Sequence, residues 1–114
     1  MAGDDLVSAG ELDRFVAIEA PPTEQGQDDH AEPQDRWHVL YRTWASIKPL
    51  SAREQLLARQ VVSSVTHKVR IRWRPGITAL MRVAYEGRHL YFEGPPLEIG
   101  RKQGLEMLCT EEER

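Results

Sequence analysis

The segment VTHKVRIRWR, residues 65–74, constrains the fold more than any other part of the chain, because its side chains alternate in character at every position. Successive side chains of a β-strand point to opposite faces, so this pattern predicts a half-buried strand. The predicted inward row is Val65, His67, Val69, Ile71 and Trp73. The outward row, called here the basic row, follows Thr66 and consists of Lys68, Arg70, Arg72 and Arg74.

Strand signals recur along the chain at short intervals, which is typical of an all-β domain. RFVAIEA (14–20) predicts a first strand, and a second extends from Trp37 to about Lys48; prolines follow both. LMRVAYEGRHLYF (80–92) predicts two strands joined by a turn at Glu86-Gly87, Gly94-Pro95-Pro96 ends this hairpin, and LEMLCTEE (105–112) predicts the last strand. Five or six short, mostly antiparallel strands favour a small barrel or sandwich.

The apolar positions of these strands define a candidate core. Its members alternate with polar residues in the third, fourth and fifth predicted strands: Val65, Val69, Ile71, Trp73, Val83, Tyr85, Leu90 and Phe92. Trp37 and Trp44 lie an odd number of residues apart in one predicted strand, so a regular strand would place them on opposite faces. This spacing predicts either a β-bulge or a tryptophan at an interface.

One short helix is predicted after Pro49. The sequence SARE matches a capping box, in which the Ser51 hydroxyl accepts from the Glu54 amide while the Glu54 carboxylate accepts from the Ser51 amide. The helix should therefore begin at Ala52. A helix of about nine residues is marginal in isolation, so it must dock on something through Leu56, Leu57 and Val61.

Charge is distributed unevenly along the 114 residues, although the net charge is only -3. Residues 1–35 hold ten acidic residues against a single base, whereas residues 66–89 hold six bases, Arg88 among them, against a single acid. Residues 21–36 are rich in proline and acid and predict a flexible acidic loop. We expect one domain over residues 1–114, with this loop and a helix-bearing insertion at residues 48–64.

The sequence lacks the residue patterns required for a metal site, a disulfide or a catalytic site. The four histidines are scattered, the single cysteine Cys109 has no partner for a disulfide, and no catalytic or phosphate-binding motif is present. The start of the chain lacks the features of a secretory signal, and no apolar run is long enough to cross a bilayer. We therefore expect no enzyme activity, cofactor or metal, and a reduced intracellular setting.

The basic row supports two interpretations. Alternate strand residues lie about 7 Å apart, so the row makes a positive stripe of about 20 Å that could follow a nucleic-acid backbone. The outer face of a half-buried strand is polar in any case, and no interleaved exposed aromatics are evident. A solvated face or a protein interface is favoured, and the alternative function is a free nucleic-acid-binding small β-barrel module.

Five segments in order resemble the phage head-tail joining family, also called head-closure or stopper proteins. They cover nearly the whole chain: GELDRFVAIEAP, TWASIKPLSARE, VTHKVRIRWRPGI, MRVAYEGRHLYF and LEMLCTEE. The acidic loop and Gly94-Pro95-Pro96 depart from the family pattern. The resemblance implies a mainly β fold, a small antiparallel β-barrel (SH3-like or sandwich-like) with one short helix in an insertion.

The resemblance also implies a function. Such proteins form a homo-oligomeric ring in the virion and are present in the host cytoplasm while the particle is built. The ring contacts an adaptor and portal complex on one side and a tail-terminator or tail protein on the other. The ring closes the DNA exit channel and presents a tail-docking surface, with packaged DNA nearby and no membrane. Phages, prophages and gene transfer agents all use similar proteins.

The same resemblance suggests two sets of site residues. Candidates for contact between subunits or with DNA in the channel are the basic row and one further arginine: Lys68, Arg70, Arg72, Arg74 and Arg88. Candidates for insertion into the channel or adaptor lie on the predicted helix and its cap: Ser51, Arg53, Glu54, Leu56, Leu57 and Arg59.

Overall fold

The alternating segment forms a strand that is paired on both sides in the computed structural model, which describes residues 10–22, 36–60 and 64–112. Seven strands and one helix occur in these ranges. In chain order they are β1 (Arg14–Ala20), β2 (His38–Pro49), α1 (Ala52–Ala58), β3 (His67–Arg72), β4 (Arg82–Tyr85), β5 (Arg88–Phe92), β6 (Leu97–Ile99) and β7 (Gly104–Glu112).

The strands close into a barrel. Their order is β3-β2-β1-β4-β5-β7-β6, and a further pairing of β3 with β7 joins the two sides of the sheet. Six strands therefore form the closed barrel, and β6 pairs only with the first part of β7. All pairings are antiparallel, and Val69 of β3 lies opposite Ile47 of β2 and Met107 of β7. The mainly β prediction, a small antiparallel barrel with one short helix, is confirmed.

The core fills the barrel with the inward-facing rows of its strands. Its largest fully buried side chains include Ile18, Ile71, Leu90 and Met107. Six of the eight predicted core residues are buried, while Trp73 and Tyr85 are partly buried and pack against the cluster. Each strand alternates inward apolar with outward polar residues, which is why the period of two located this core.

A β-bulge places the two tryptophans of the second strand segment on the same face, although they are an odd number of residues apart. Ile18 of β1 lies opposite Tyr41, but the next residue, Glu19, lies opposite Val39, so Leu40 is an extra residue in β2. The bulge reverses the side-chain alternation. Trp37, just before β2, consequently packs against Tyr91 on the outer face, the same face on which Trp44 lies.

The hairpin between β4 and β5 turns at the predicted dipeptide. Glu86 and Gly87 both have positive φ angles, 49° and 78°, as a two-residue type I′ turn requires. The sequence pattern did not predict β6, because this strand has only three residues, follows two prolines and leaves Leu97 exposed. Its pairing with β7 in the folded chain, rather than any local pattern, makes it a strand.

The antiparallel order gives the barrel two different ends. At the helix end lie the ends of β2, β4 and β7 and the beginnings of β1, β3 and β5, and α1 follows β2 there. At the loop end, β1 leads into the predicted acidic loop, of which residues 23–35 lie outside the described residues. The basic row runs from the helix end at Lys68 toward the loop end at Arg74.

Candidate functional site

Two members of the basic row are paired with carboxylates of the same chain. Lys68 Nζ lies 2.7 Å from Glu54 Oε2, and Arg70 Nε lies 2.8 Å from Glu106 Oε1. Arg70 and Glu106 are directly opposite each other on β3 and β7, so the barrel itself creates this pair. Both cationic side chains are less than one-third exposed. Two of the four charges are therefore locally compensated.

The other two members differ from each other. The Arg74 guanidinium lies 3.6 Å from the centroid of the Tyr41 ring, a cation–π contact just beyond the end of β3. Burial raises the pKa of Tyr41 to about 12, although the charge of Arg74 opposes that rise. Arg72 is exposed and forms no ion pair or side-chain hydrogen bond with another described residue. A row that looks uniformly basic in sequence thus has two charges paired with carboxylates, one guanidinium stacked on an aromatic ring and one exposed guanidinium without either contact among the described residues.

Arg88 is held in a cluster at the helix end. Its Nε and Nη2 atoms donate to the two carboxylate oxygens of Glu111 at 2.7 and 2.8 Å, a bidentate arrangement. Hydrogen bonding to Arg88 lowers the pKa of Glu111 and raises that of Arg88. His67 Nε2 lies 3.7 Å from Glu111, and burial lowers the pKa of His67. Arg88 is thus engaged within the chain, like Lys68 and Arg70.

The helix α1 begins as predicted but faces the barrel with its polar side. Ser51 Oγ accepts from the Glu54 amide at 3.2 Å, and Glu54 Oε1 accepts from the Ser51 amide at 3.1 Å, which completes the capping box. Glu54 also binds Lys68, and Gln55 Nε2 donates to the Leu50 carbonyl. No residue of α1 is buried. Arg53 and Arg59 are exposed.

The docking expected through the helix leucines does not occur on the barrel. Leu56 and Leu57 are 68% and 59% exposed, and Val61 lies outside the described residues. The physical reason lies in Glu54. One of its carboxylate oxygens completes the helix cap and the other accepts from Lys68, so the side of the helix that carries Glu54 faces β3. Leu56, two positions after Glu54, lies on the far side of the helix. Leu57, three positions after Glu54, lies nearer that side but is still more than half exposed.

Glu54 gives the helix a measurable pH dependence. Hydrogen bonds from Lys68 and Ser51 lower its pKa from 4.5 to about 2. Because the folded-state pKa is depressed, its contribution to helix stability is complete above about pH 4.5 and is lost as the pH falls toward 2. We expect the Ser51 and Glu54 amide resonances to titrate with a midpoint near 2 in an NMR pH series. A midpoint near the ordinary glutamate value would contradict the contact, and Lys68→Met should raise the midpoint.

Sequence reasoning missed an aromatic surface on the outer face of β1, β2 and β4, called here the aromatic groove. It is a shallow depression of about 450 Å³ whose wall includes Phe15, Trp44, Tyr85, Arg42 and Glu86. Phe15 and Trp44 are 51% and 53% exposed, and their ring centroids lie 5.2 Å apart. The alternation held a signal for it, since Phe15 precedes inward Val16 and Trp44 precedes inward Ala45.

Neither a metal-ligand cluster nor a long apolar helix occurs in the described ranges. Among residues 10–22, 36–60 and 64–112, no three or more His, Cys, Asp or Glu side chains are placed so that they could hold a metal ion. None of the helical structure in those ranges is long and apolar enough to cross a bilayer. Cys109 is fully buried, and burial raises the pKa of its thiol far above the ordinary value.

The fold and the described surfaces define a small closed β-barrel protein whose distinctive outer features are ion-pair clusters, an exposed helix and the aromatic groove. The chain belongs to the phage head completion protein family, whose sequence model matches residues 7–112. The resemblance drawn from the sequence is thereby confirmed. Membership gives the chain a structural role in closing the phage head, and it implies contact with head and tail components.

A solved structure supports the fold independently. The solution structure of protein SF1141 from Shigella flexneri 2a is similar to this chain, with 27% sequence identity and a TM-score of 0.71. The match covers 92% of this chain and 96% of the other. A comparison with curated proteins finds no match.

Proposed function

We propose that the chain is a connector of the virion that closes the DNA exit channel below the portal and adaptor after packaging, and that it provides the surface on which the tail docks. The observation that carries this proposal is the family match over residues 7–112, almost the whole chain. The protein acts as a ring of identical copies, each contributing one barrel domain. The insertion at residues 48–64, which includes α1, reaches toward the channel or adaptor.

The basic row serves protein contact or solvation in this proposal rather than a grip on DNA. Lys68 and Arg70 are bound to Glu54 and Glu106, and Arg74 lies on Tyr41. A phosphate would have to displace carboxylates that are already at hydrogen-bond distance. These contacts favour the connector over the alternative of a free nucleic-acid-binding barrel.

Loss of the protein should leave heads that package DNA but neither retain it nor join tails. The reason is that, without the closing ring, nothing in the exit channel holds the packaged DNA against its outward pressure. The measurement is the DNA content and tail attachment of particles made without this chain, observed by electron microscopy and nuclease protection. Stable, DNA-filled and tailed particles from the deletion would contradict the proposal.

The free chain should bind duplex DNA no more tightly than the non-specific range, about 10⁻⁴ to 10⁻⁶ M near physiological salt. The double variant Glu54→Gln, Glu106→Gln releases Lys68 and Arg70 and should bind several-fold more tightly. Fluorescence anisotropy over a salt series measures both. Nanomolar binding by the unmodified chain, with a salt slope near four phosphates that is lost in Arg70→Glu, Arg72→Glu, would favour the nucleic-acid-binding alternative.

A further inference from the structure

The exposed leucines of α1 are an unpartnered apolar surface. A seven-residue helix has little stability of its own and usually owes its persistence to packing of its apolar side. Here Glu54 binds Lys68 of the barrel and Gln55 donates to the Leu50 carbonyl just after β2, while Leu56 and Leu57 are more than half exposed. Two adjacent leucines on a projecting helix form a convex apolar surface that the described barrel does not cover.

The aromatic groove is a second unpartnered surface, and it is concave. β1 pairs with β4 only from Ala17 to Glu19, and the groove lies where the first residues of β1 extend beyond this pairing. Phe15 and Trp44 line it, and no described side chain packs over them to reduce their exposure below one-half. Exposed aromatic residues together with arginine are the composition typical of protein interface centres.

The two surfaces complement each other in shape, and the groove, whose wall holds both Arg42 and Glu86, offers one acid to the bases of the helix. The leucines project from a helix, and the groove is a depression of about 450 Å³. Arg53 and Arg59 flank the leucines, being three residues before Leu56 and three after it, and both are exposed. Glu86, at the turn between β4 and β5, is exposed at the rim of the groove. A base on the helix can therefore meet an acid beside the groove.

The surfaces also lie on different parts of the barrel, as a ring requires. The helix is bound to Lys68 of β3, whereas the groove is lined by residues of β1, β2, β4 and the turn after β4, and no helix residue lines it. A ring of identical copies needs two different surfaces on each chain, one binding the other on the next copy. If the two surfaces were the same, the contact would close as a dimer.

We propose that Leu56 and Leu57 of one copy insert into the aromatic groove of the next copy, with Glu86 of the groove pairing with Arg53 or Arg59 of the inserted helix. This inference rests on the ring proposed above and identifies the surfaces that form it. The occupant of the groove is thus a second copy of this chain. A nucleic-acid base stacked on Trp44 is the competing occupant that the experiment must separate.

Cysteine cross-linking in particles tests the contact. Arg42→Cys and Leu57→Cys are made separately and together; buried Cys109 stays in place because its thiol has a raised pKa and is inaccessible. We expect the double variant to give a ladder of covalent multimers under a short bifunctional maleimide, because each copy reacts with the next. Each single variant should stay monomeric, since neither new thiol has a counterpart.

The other outcomes overturn the inference in distinguishable ways. Dimers from either single variant would mean a two-fold contact between like surfaces. Particles that contain the protein but give no ladder from the double variant would refute the helix–groove contact while leaving the connector function intact. Absence of the protein from the junction between head and tail would refute the proposed function itself, and the inference with it.

A charge swap provides the matched control. Arg53→Glu with Arg59→Glu, or Glu86→Arg alone, should each reduce the ladder at least several-fold, and the combination of all three should restore it. Leu56→Asp should abolish the ladder, whereas Leu80→Asp, at another leucine that is 71% exposed, should leave it unchanged. If Trp44 instead stacks on a base, the double cysteine variant should give no ladder and the three charge changes should alter the DNA protection of the particles, which would overturn the inference.

Discussion

Leu90→Ala is expected to lower the free energy of unfolding by about 2 to 5 kcal/mol, as truncation of a fully buried leucine does. Leu90 lies in β5 opposite Val83 of β4, and both side chains are completely buried within the barrel. The cavity left behind cannot collapse easily, because closed strand pairing on both sides fixes the backbone. A domain of this size has a total stability of about 5 to 15 kcal/mol, so the loss would be a large fraction.

Urea denaturation followed by tryptophan fluorescence measures the effect. The matched control is Leu80→Ala, because Leu80 is the same residue type but 71% exposed. It should change the free energy of unfolding by no more than about 0.5 kcal/mol. Equal losses in the two variants would mean that Leu90 does not occupy the centre of the barrel.

Arg82→Met is expected to cost about 3 kcal/mol, because it leaves a nearly buried carboxylate without its counter-ion. Arg82 Nε lies 2.6 Å from Glu19 Oε1, and the two side chains are 11% and 15% exposed. Arg82 Nη1 also donates to the Tyr91 hydroxyl at 2.8 Å, and the guanidinium lies 4.2 Å from the centroid of Trp37. One guanidinium thus joins β1, β4, β5 and the residue that precedes β2.

A double-mutant cycle separates the ion pair from the packing of this cluster. Glu19→Gln combined with Arg82→Met should cost less than the sum of the two single changes, because the residues interact directly. Arg72→Met is the control, since Arg72 is exposed and should change stability by no more than about 0.5 kcal/mol. Additive costs at Glu19 and Arg82 would contradict a direct ion pair.

The same cluster has a consequence for the acidic loop. Trp37 is the first residue after the predicted loop, and it packs edge-on against Tyr91, with ring centroids 5.6 Å apart. The chain therefore enters β2 at a fixed point on the outer face. Arg82, Trp37 and Tyr91 therefore set the point at which the chain returns from the loop to the barrel.

The sequence alone determined those features that depend on neighbours along the chain. The alternation of residues 65–74 located β3 and its inward row, because a strand exposes alternate side chains to opposite faces whatever it pairs with. SARE located the beginning of α1, since both capping hydrogen bonds lie within four residues. Glu86-Gly87 located the hairpin turn, because two successive positive φ angles are needed there. The family resemblance followed from the order of such segments.

Only the tertiary structure decided which groups meet across the barrel. Glu106 is 36 positions from Arg70 and Glu54 is 14 positions from Lys68, so no local pattern shows that these charges are paired. The aromatic groove depends on where β4 leaves β1, and β6 exists only through its pairing with β7. The exposure of Leu56 and Leu57 was also a tertiary result, because the helix is held to the barrel by the contact of Glu54 with Lys68 on another strand. Strand pairing and register are set by long-range packing of the closed barrel, and a one-residue difference such as the bulge at Leu40 changes the face on which every earlier side chain of β2 lies.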